Sequence, residues 1–81
     1  RPLFRIKEID WSNEFNQRWM GRVYFGTFVV KEVETGWQWS FWNNIHNKFT
    51  TTGTGTNLEE CQAQARTLYE EIMEQIVERA E

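Results

Sequence analysis

Hydrophobic and polar residues alternate along the first two thirds of the chain and switch to a helical repeat in the last third. Leu3 to Ile9 reads Leu-Phe-Arg-Ile-Lys-Glu-Ile, and Phe4 and Ile6 alternate with Arg5 and Lys7. That two-residue period predicts a half-buried strand. Asp10 to Gln17 is polar apart from Trp11 and Phe15 and reads as a loop. Trp19 to Val33 is the longest β-like run, with Val23, Phe25, Thr27, Val29 and Val33 on one side and Tyr24, Phe28 and Val30 on the other. Gly21 and Gly26 inside it mark bulges or close backbone approach. Glu34-Thr35-Gly36 predicts a hairpin loop in which Gly supplies the positive φ. Trp37-Gln38-Trp39-Ser40-Phe41-Trp42 alternates next, Asn43-Asn44 turns the chain, and Ile45 to Thr52 predicts a last strand. Gly53-Thr54-Gly55-Thr56 reads as a flexible connector.

From Asn57 the period changes. Asn57 is a good N-cap, and Glu60 three residues later completes an Asx form of the capping box. Leu58, Cys61, Ala65, Leu68, Ile72, Ile76 and Ala80 fall in steps of three and four, a continuous apolar stripe that Tyr69, Met73 and Val77 broaden. Glu70, Glu71, Glu74 and Glu78 lie largely on the other side. Together these elements predict a two-layer α+β domain of ββββα order: an antiparallel sheet of three to four strands packed by one long C-terminal helix. Residues 1–81 form one domain in this reading, with sheet 3–52, connector 53–56 and helix 57–80.

Charge sharpens the picture more than composition does. The chain of 81 residues has a formal net charge of -3. Residues 1–56 hold seven basic and five acidic side chains, whereas residues 57–81 hold two basic and seven acidic. The body is weakly basic and the helix strongly acidic. A single cysteine allows no internal disulfide, no apolar run reaches the roughly 20 residues of a membrane helix, and the start lacks the apolar core of a signal peptide. A cytoplasmic protein without a membrane segment is the expectation.

Aromatic content is where the pattern points beyond the fold. Five Trp, two Tyr and six Phe are spread over both sides of the alternating runs. One helix covers one face of a small sheet, so the second face is expected to leave large side chains uncovered, which monomeric proteins rarely do. Either Trp11, Trp19 and the 10–18 loop close that face, or it is a partner surface, taken by a second copy of the chain or by a target protein. Tyr24, Phe28, Trp37, Trp39 and Trp42 are the aromatic candidates for that surface. Glu70, Glu71, Glu74 and Glu78 are the candidates on the helix.

Residues of catalytic type are few. His46 is the single histidine and sits in a polar turn, Asn43-Asn44-Ile45-His46-Asn47-Lys48. One His and one distant Cys assemble no zinc site, and no Ser-His-Asp set is readable. Cys61 lies on the apolar stripe and is expected in the core. The Gly-Thr connector before a helix suggests a phosphate cradle, but no Lys follows and Glu59 and Glu60 repel an anion there. No enzymatic activity, catalytic residue, metal, cofactor or small-molecule substrate is predicted.

The junction from Gly53 to Ala65 resembles the sheet-to-helix step of double-stranded-RNA-binding domains. That family carries phosphate-binding lysines where this chain has Glu59 and Glu60, and its first helix has no counterpart here. Because phosphate contacts dominate affinity for a duplex, nucleic acid is a disfavoured partner in this reading. The same junction is similar to HicB-type antitoxins, which continue into a further strand. Tyr24 to Val30, then Gly36-Trp37-Gln38-Trp39, then Cys61 to Ile72 with Tyr69 near the end, resembles small tailed-phage and prophage accessory proteins. The resemblance implies a viral accessory protein that binds and inhibits a host protein, CRISPR or restriction machinery included (an anti-CRISPR role). The function expected is therefore a non-enzymatic interaction domain acting on a host defence or nucleic-acid enzyme, through its acidic helix face or its sheet aromatics. The alternative is a single-stranded nucleic-acid-binding module using Trp37, Trp39 and Trp42 for stacking.

Overall fold

The computed structural model describes residues 8–14 and 18–80. Five strands run in chain order: β1 (Asp10–Glu14), β2 (Arg18–Val23), β3 (Gly26–Val33), β4 (Gly36–Asn43) and β5 (Lys48–Gly55), followed by α1 (Leu58–Ala80). Each strand pairs antiparallel with the next, so the sheet is a five-stranded meander of order β1-β2-β3-β4-β5. The α+β class with a C-terminal helix is as the periodicity predicts, and the sheet has five strands where three to four were expected.

The extra strand comes from a turn with no turn residues. The run from Trp19 to Val33 is two strands joined at Tyr24-Phe25, with Val23 paired to Gly26. Two-residue hairpin loops ordinarily favour positive φ and hence Gly or Asn, yet Tyr24 and Phe25 both keep negative φ. Tertiary packing holds the turn instead. Phe25 is buried against Phe41 and Tyr69, with ring centroids 5.7 and 5.9 Å apart, and its carbonyl accepts from the Asn44 N–H at 2.9 Å. The fold-back also resets the alternation: Val23 shares a face with Phe28 and Val30, which the continuous-strand reading set opposite it. Gly21 and Gly26 mark close approach rather than bulges, Gly26 beneath the Trp42 carbonyl and Gly21 beneath Ile9 and Trp11; among the described residues the register shift lies at Phe41/Trp42.

Asp10–Glu14, read as loop, is the edge strand β1. Its polar composition hides it, and Trp11 secures it by packing across Gly21 toward Phe28, with ring centroids 6.4 Å apart. Residues 3–7 of the strand expected at Leu3 to Ile9 lie outside the described residues. Ile9 itself is buried but not in a strand. At the other end, Gly53 to Gly55 belong to β5, so the connector shrinks to Thr56-Asn57. The hairpin loop at Glu34-Thr35 forms as predicted, with Gly36 at φ 145°.

α1 starts at a capped end. The Glu60 N–H donates to Asn57 Oδ1 at 2.8 Å, and the Glu60 carboxylate reaches back to the Thr56 hydroxyl at 3.0 Å. Among the described residues α1 packs on β3, β4 and β5 and on neither β1 nor β2. Cys61, Ala65 and Tyr69 close over Phe28, Val30, Trp39 and Phe41 to form the core. The 23-residue helix is about 34 Å long, whereas an eight-residue strand spans about 26 Å. It therefore outruns the sheet: Ile72 and Met73 still touch the core, while Ile76 is 46% exposed.

Candidate functional site

Cross-strand register sorts the aromatic candidates. Phe28 and Trp39 lie on the helix side, 0% and 5% exposed. They are core residues, so they present no surface to a partner. Trp37, also on that side, is half-buried against the same cluster. Tyr24 sits at the β2–β3 tip, 96% exposed. Trp42 is the one tryptophan of β4 on the opposite side. Trp11 and Trp19 pack against the core from the helix side, so they do not close the second face. Most of the aromatic surplus is thus absorbed by a core wider than one helix stripe.

The second face is consequently mixed rather than apolar. Register lays it out in rows. The first runs Glu14, Arg18, Lys31, Gln38 and Thr54 from β1 to β5. The second runs Ser12, Met20, Val29, Ser40 and Thr52. The third runs Asp10, Arg22, Thr27, Trp42 and Phe49. Phe49 is 58% exposed and meets Trp42 edge to face, with ring centroids 5.0 Å apart. A shallow depression of about 480 Å³ lies between Arg18, Lys31 and Phe49. Arg22 is committed to Glu14 at 2.8 Å, and Ser12 also donates to that carboxylate. These bonds hold Glu14 below its ordinary pKa and raise that of Arg22. Arg18 and Lys31 form no ion pair among the described residues.

The acidic side of α1 points away from the sheet. Glu71 and Glu74 are exposed, and Glu70 is half-buried beside Arg66, 3.3 Å from its Nε. Arg66 also pairs with Glu8 and so links α1 to the chain just before β1. The side chain of Glu78 lies outside the described residues. At the end where α1 overhangs, Tyr24, Ile45 (77% exposed) and Ile76 add apolar surface to this acidic rim.

The remaining chemistry is structural. Asn43 Oδ1 accepts from the Ile45 and His46 N–H groups, and Asn47 takes φ 57°, so His46 sits on an exposed, side-chain-capped turn. Cys61 is buried, and burial followed by the Glu60 charge pushes its thiol pKa up. Among the described residues no group of three His, Cys, Asp or Glu side chains is arranged to hold a metal, and no polar or charged residue is buried. No helix among them is long and apolar enough to cross a membrane.

The pairing of Arg18 with Lys31 and of Trp42 with Phe49 was not legible in the sequence. The alternation in Trp37 to Trp42 singled out Trp42, but its neighbours follow from the hairpins and the register shift. A five-stranded antiparallel meander backed by a C-terminal helix is the class these features define. Comparison with known proteins yields no relative: no family model, curated protein or solved structure matches the chain.

Proposed function

We propose that the protein is a non-catalytic interaction domain that engages a basic surface of a partner protein through the outer face and overhanging end of α1. The observation that carries this reading is the position of the helix. Its acidic residues Glu71 and Glu74 are exposed, and its apolar stripe continues to Ile76 beyond the sheet that covers it elsewhere. Carboxylates beside exposed apolar side chains suit a partner that is basic around an apolar patch, since complementary charge steers association and fixes orientation. A nucleic-acid-processing enzyme with a basic groove has that charge. A host defence enzyme inhibited by a phage-type protein is the narrower form of the reading, and it rests on the hairpin and helix resemblance quoted above.

The test uses immobilised protein and its Glu71→Lys/Glu74→Lys variant with the same host lysate. Proteins held by the wild type at about 50 mM salt should be released by about 500 mM, where the screening length falls below about 5 Å, and the variant should not hold them. Retention that is indifferent to both changes, or no retention by the wild type, overturns the proposal.

A further inference from the structure

The sheet face turned away from α1 carries two features that the core does not require. The first is a like-charge pair. Arg18 and Lys31 are direct cross-strand partners on β2 and β3, at a spacing of about 5 Å between Cβ atoms where like charges destabilise a sheet. Neither has a carboxylate partner among the described residues, because Glu14, next in the row, is held by Arg22. An anion between the two cations turns this local cost into attraction, and Gln38 beside Lys31 adds an amide donor.

The second feature is the register shift. Phe41 opposes Thr51, and an unshifted ladder would set Thr50 against Trp42 and send Phe49 to the helix side. The shift at Phe41/Trp42 instead pairs Trp42 with Phe49 and places both rings on the open face, Trp42 half-buried and Phe49 exposed. Bulges commonly re-aim a side chain in this way. Here the result is an exposed phenylalanine standing against a tryptophan, with Met20 and Val29 flooring the depression between the rings and the cations.

We infer that this open face binds single-stranded nucleic acid, its phosphates at Arg18 and Lys31 and a base stacked at Trp42 and Phe49. The cationic and aromatic rows are four residues apart along β3 and β4, about 13 Å, a distance that one to two nucleotides of extended chain can bridge. Cations that track a backbone beside rings that accept any base are the combination single-strand binders use. A duplex keeps its bases stacked inside and offers nothing to the rings. An acidic peptide satisfies the cations, but its carboxylate side chains offer no aromatic face to stack on the Trp42–Phe49 pair. The net charge of -3 does not oppose this, because the acidic block is on α1, on the other side of the sheet. That separation, about 10 Å or more, is at least a screening length in physiological salt. The site shares no residue with the α1 surface and does not depend on its partner.

The probe is a fluorescein-labelled oligothymidine of about 12 nucleotides, within the range of single-strand site sizes, followed by anisotropy. Binding should appear at about 50 mM salt and weaken as salt rises. Phe49→Ala should weaken it about tenfold, in line with one lost stacked base. Lys31→Glu should weaken it at least tenfold while the melting temperature holds or rises, because Arg18 then faces an opposite charge. That combination separates lost binding from lost fold. Glu71→Lys/Glu74→Lys should leave oligonucleotide binding intact. No binding at about 100 μM protein, the weak limit of non-specific association, overturns the proposal, as does wild-type affinity in Lys31→Glu. Displacement of the oligonucleotide by poly-glutamate as effectively as by unlabelled oligothymidine also overturns it, in favour of an acidic protein.

Discussion

Replacing Gly53 by Ala separates local propensity from tertiary packing, because the two give opposite signs. Glycine in a strand costs roughly 0.5–1 kcal/mol relative to alanine, so propensity alone has Gly53→Ala stabilise β5. In the structure Gly53 lies directly across from Trp39, and the indole rests over it. A Cβ there would sit 2.4 Å from Trp39 Nε1, 2.8 Å from Cε2 and 3.1 Å from Gln64 Oε1, against an optimal separation of about 3.5–4.0 Å between carbon atoms. The ring has to move by about 1 Å or more. It is 5% exposed, and its Nε1 donates to Gln64 Oε1 at 2.8 Å while Gln64 Nε2 donates to the Thr54 carbonyl at 3.0 Å. Overpacking costs about 1–3 kcal/mol, and stranding the indole N–H adds a cost of about 1–3 kcal/mol. Set against the propensity gain, the net loss is about 3 kcal/mol. At about 4–8 °C per kcal/mol for a domain of this size, the melting temperature should fall by about 12–24 °C. Calorimetry and urea unfolding followed by tryptophan fluorescence measure it. In a Trp39→Phe background the smaller ring leaves room, so the cost of Gly53→Ala should shrink, a coupling expected only for groups in contact. An unchanged or raised melting temperature for Gly53→Ala would refute the packing argument.

Further outcomes follow from single contacts. Asn57→Ala should lower stability to urea by about 0.5–2 kcal/mol, because the Glu60 N–H loses its cap, whereas Asn57→Gly should cost only a few tenths. Cys61 should react with a thiol reagent only as fast as the protein unfolds, its thiol being buried and its pKa raised; prompt labelling of the native state would contradict the core placement. Glu14 should titrate below its ordinary value of 4.5 in a carboxyl NMR experiment, because the Arg22 hydrogen bond, then that of Ser12, favours its charged form. A depressed folded-state pKa contributes stability above the unfolded value and loses it as pH falls through the folded one. The Glu14 contribution is therefore complete above about pH 5 and disappears in acid. Arg22→Gln should move the Glu14 midpoint back up, and an unmoved midpoint excludes the ion pair as the cause.

What the sequence determined by itself is whatever depends on local period and capping. The steps of three and four from Leu58 onward define α1, Asn57 and Glu60 mark its start, and Gly36 supplies the φ of the β3–β4 hairpin. The alternation from Trp37 to Trp42 separates Trp37, Trp39 and Phe41 from Trp42 correctly. These signals are carried by neighbours in the chain. The tertiary structure decided the rest for identifiable reasons. Tyr24-Phe25 becomes a turn because Phe25 is held between Phe41 and Tyr69, not because its residues favour one. Asp10–Glu14 becomes a strand because β2 offers an edge and Trp11 has a place over Gly21. Gly53 and Gly55 read as flexible until the Trp39 ring and the Cys61 sulfur are seen to fill the space that side chains would take. Both surfaces are decided at this level. The Arg18–Lys31 pair exists only through the β2–β3 register, and the Trp42–Phe49 pair only through the shift in β4–β5. Period can say which residues alternate, but only strand pairing says which of them become neighbours.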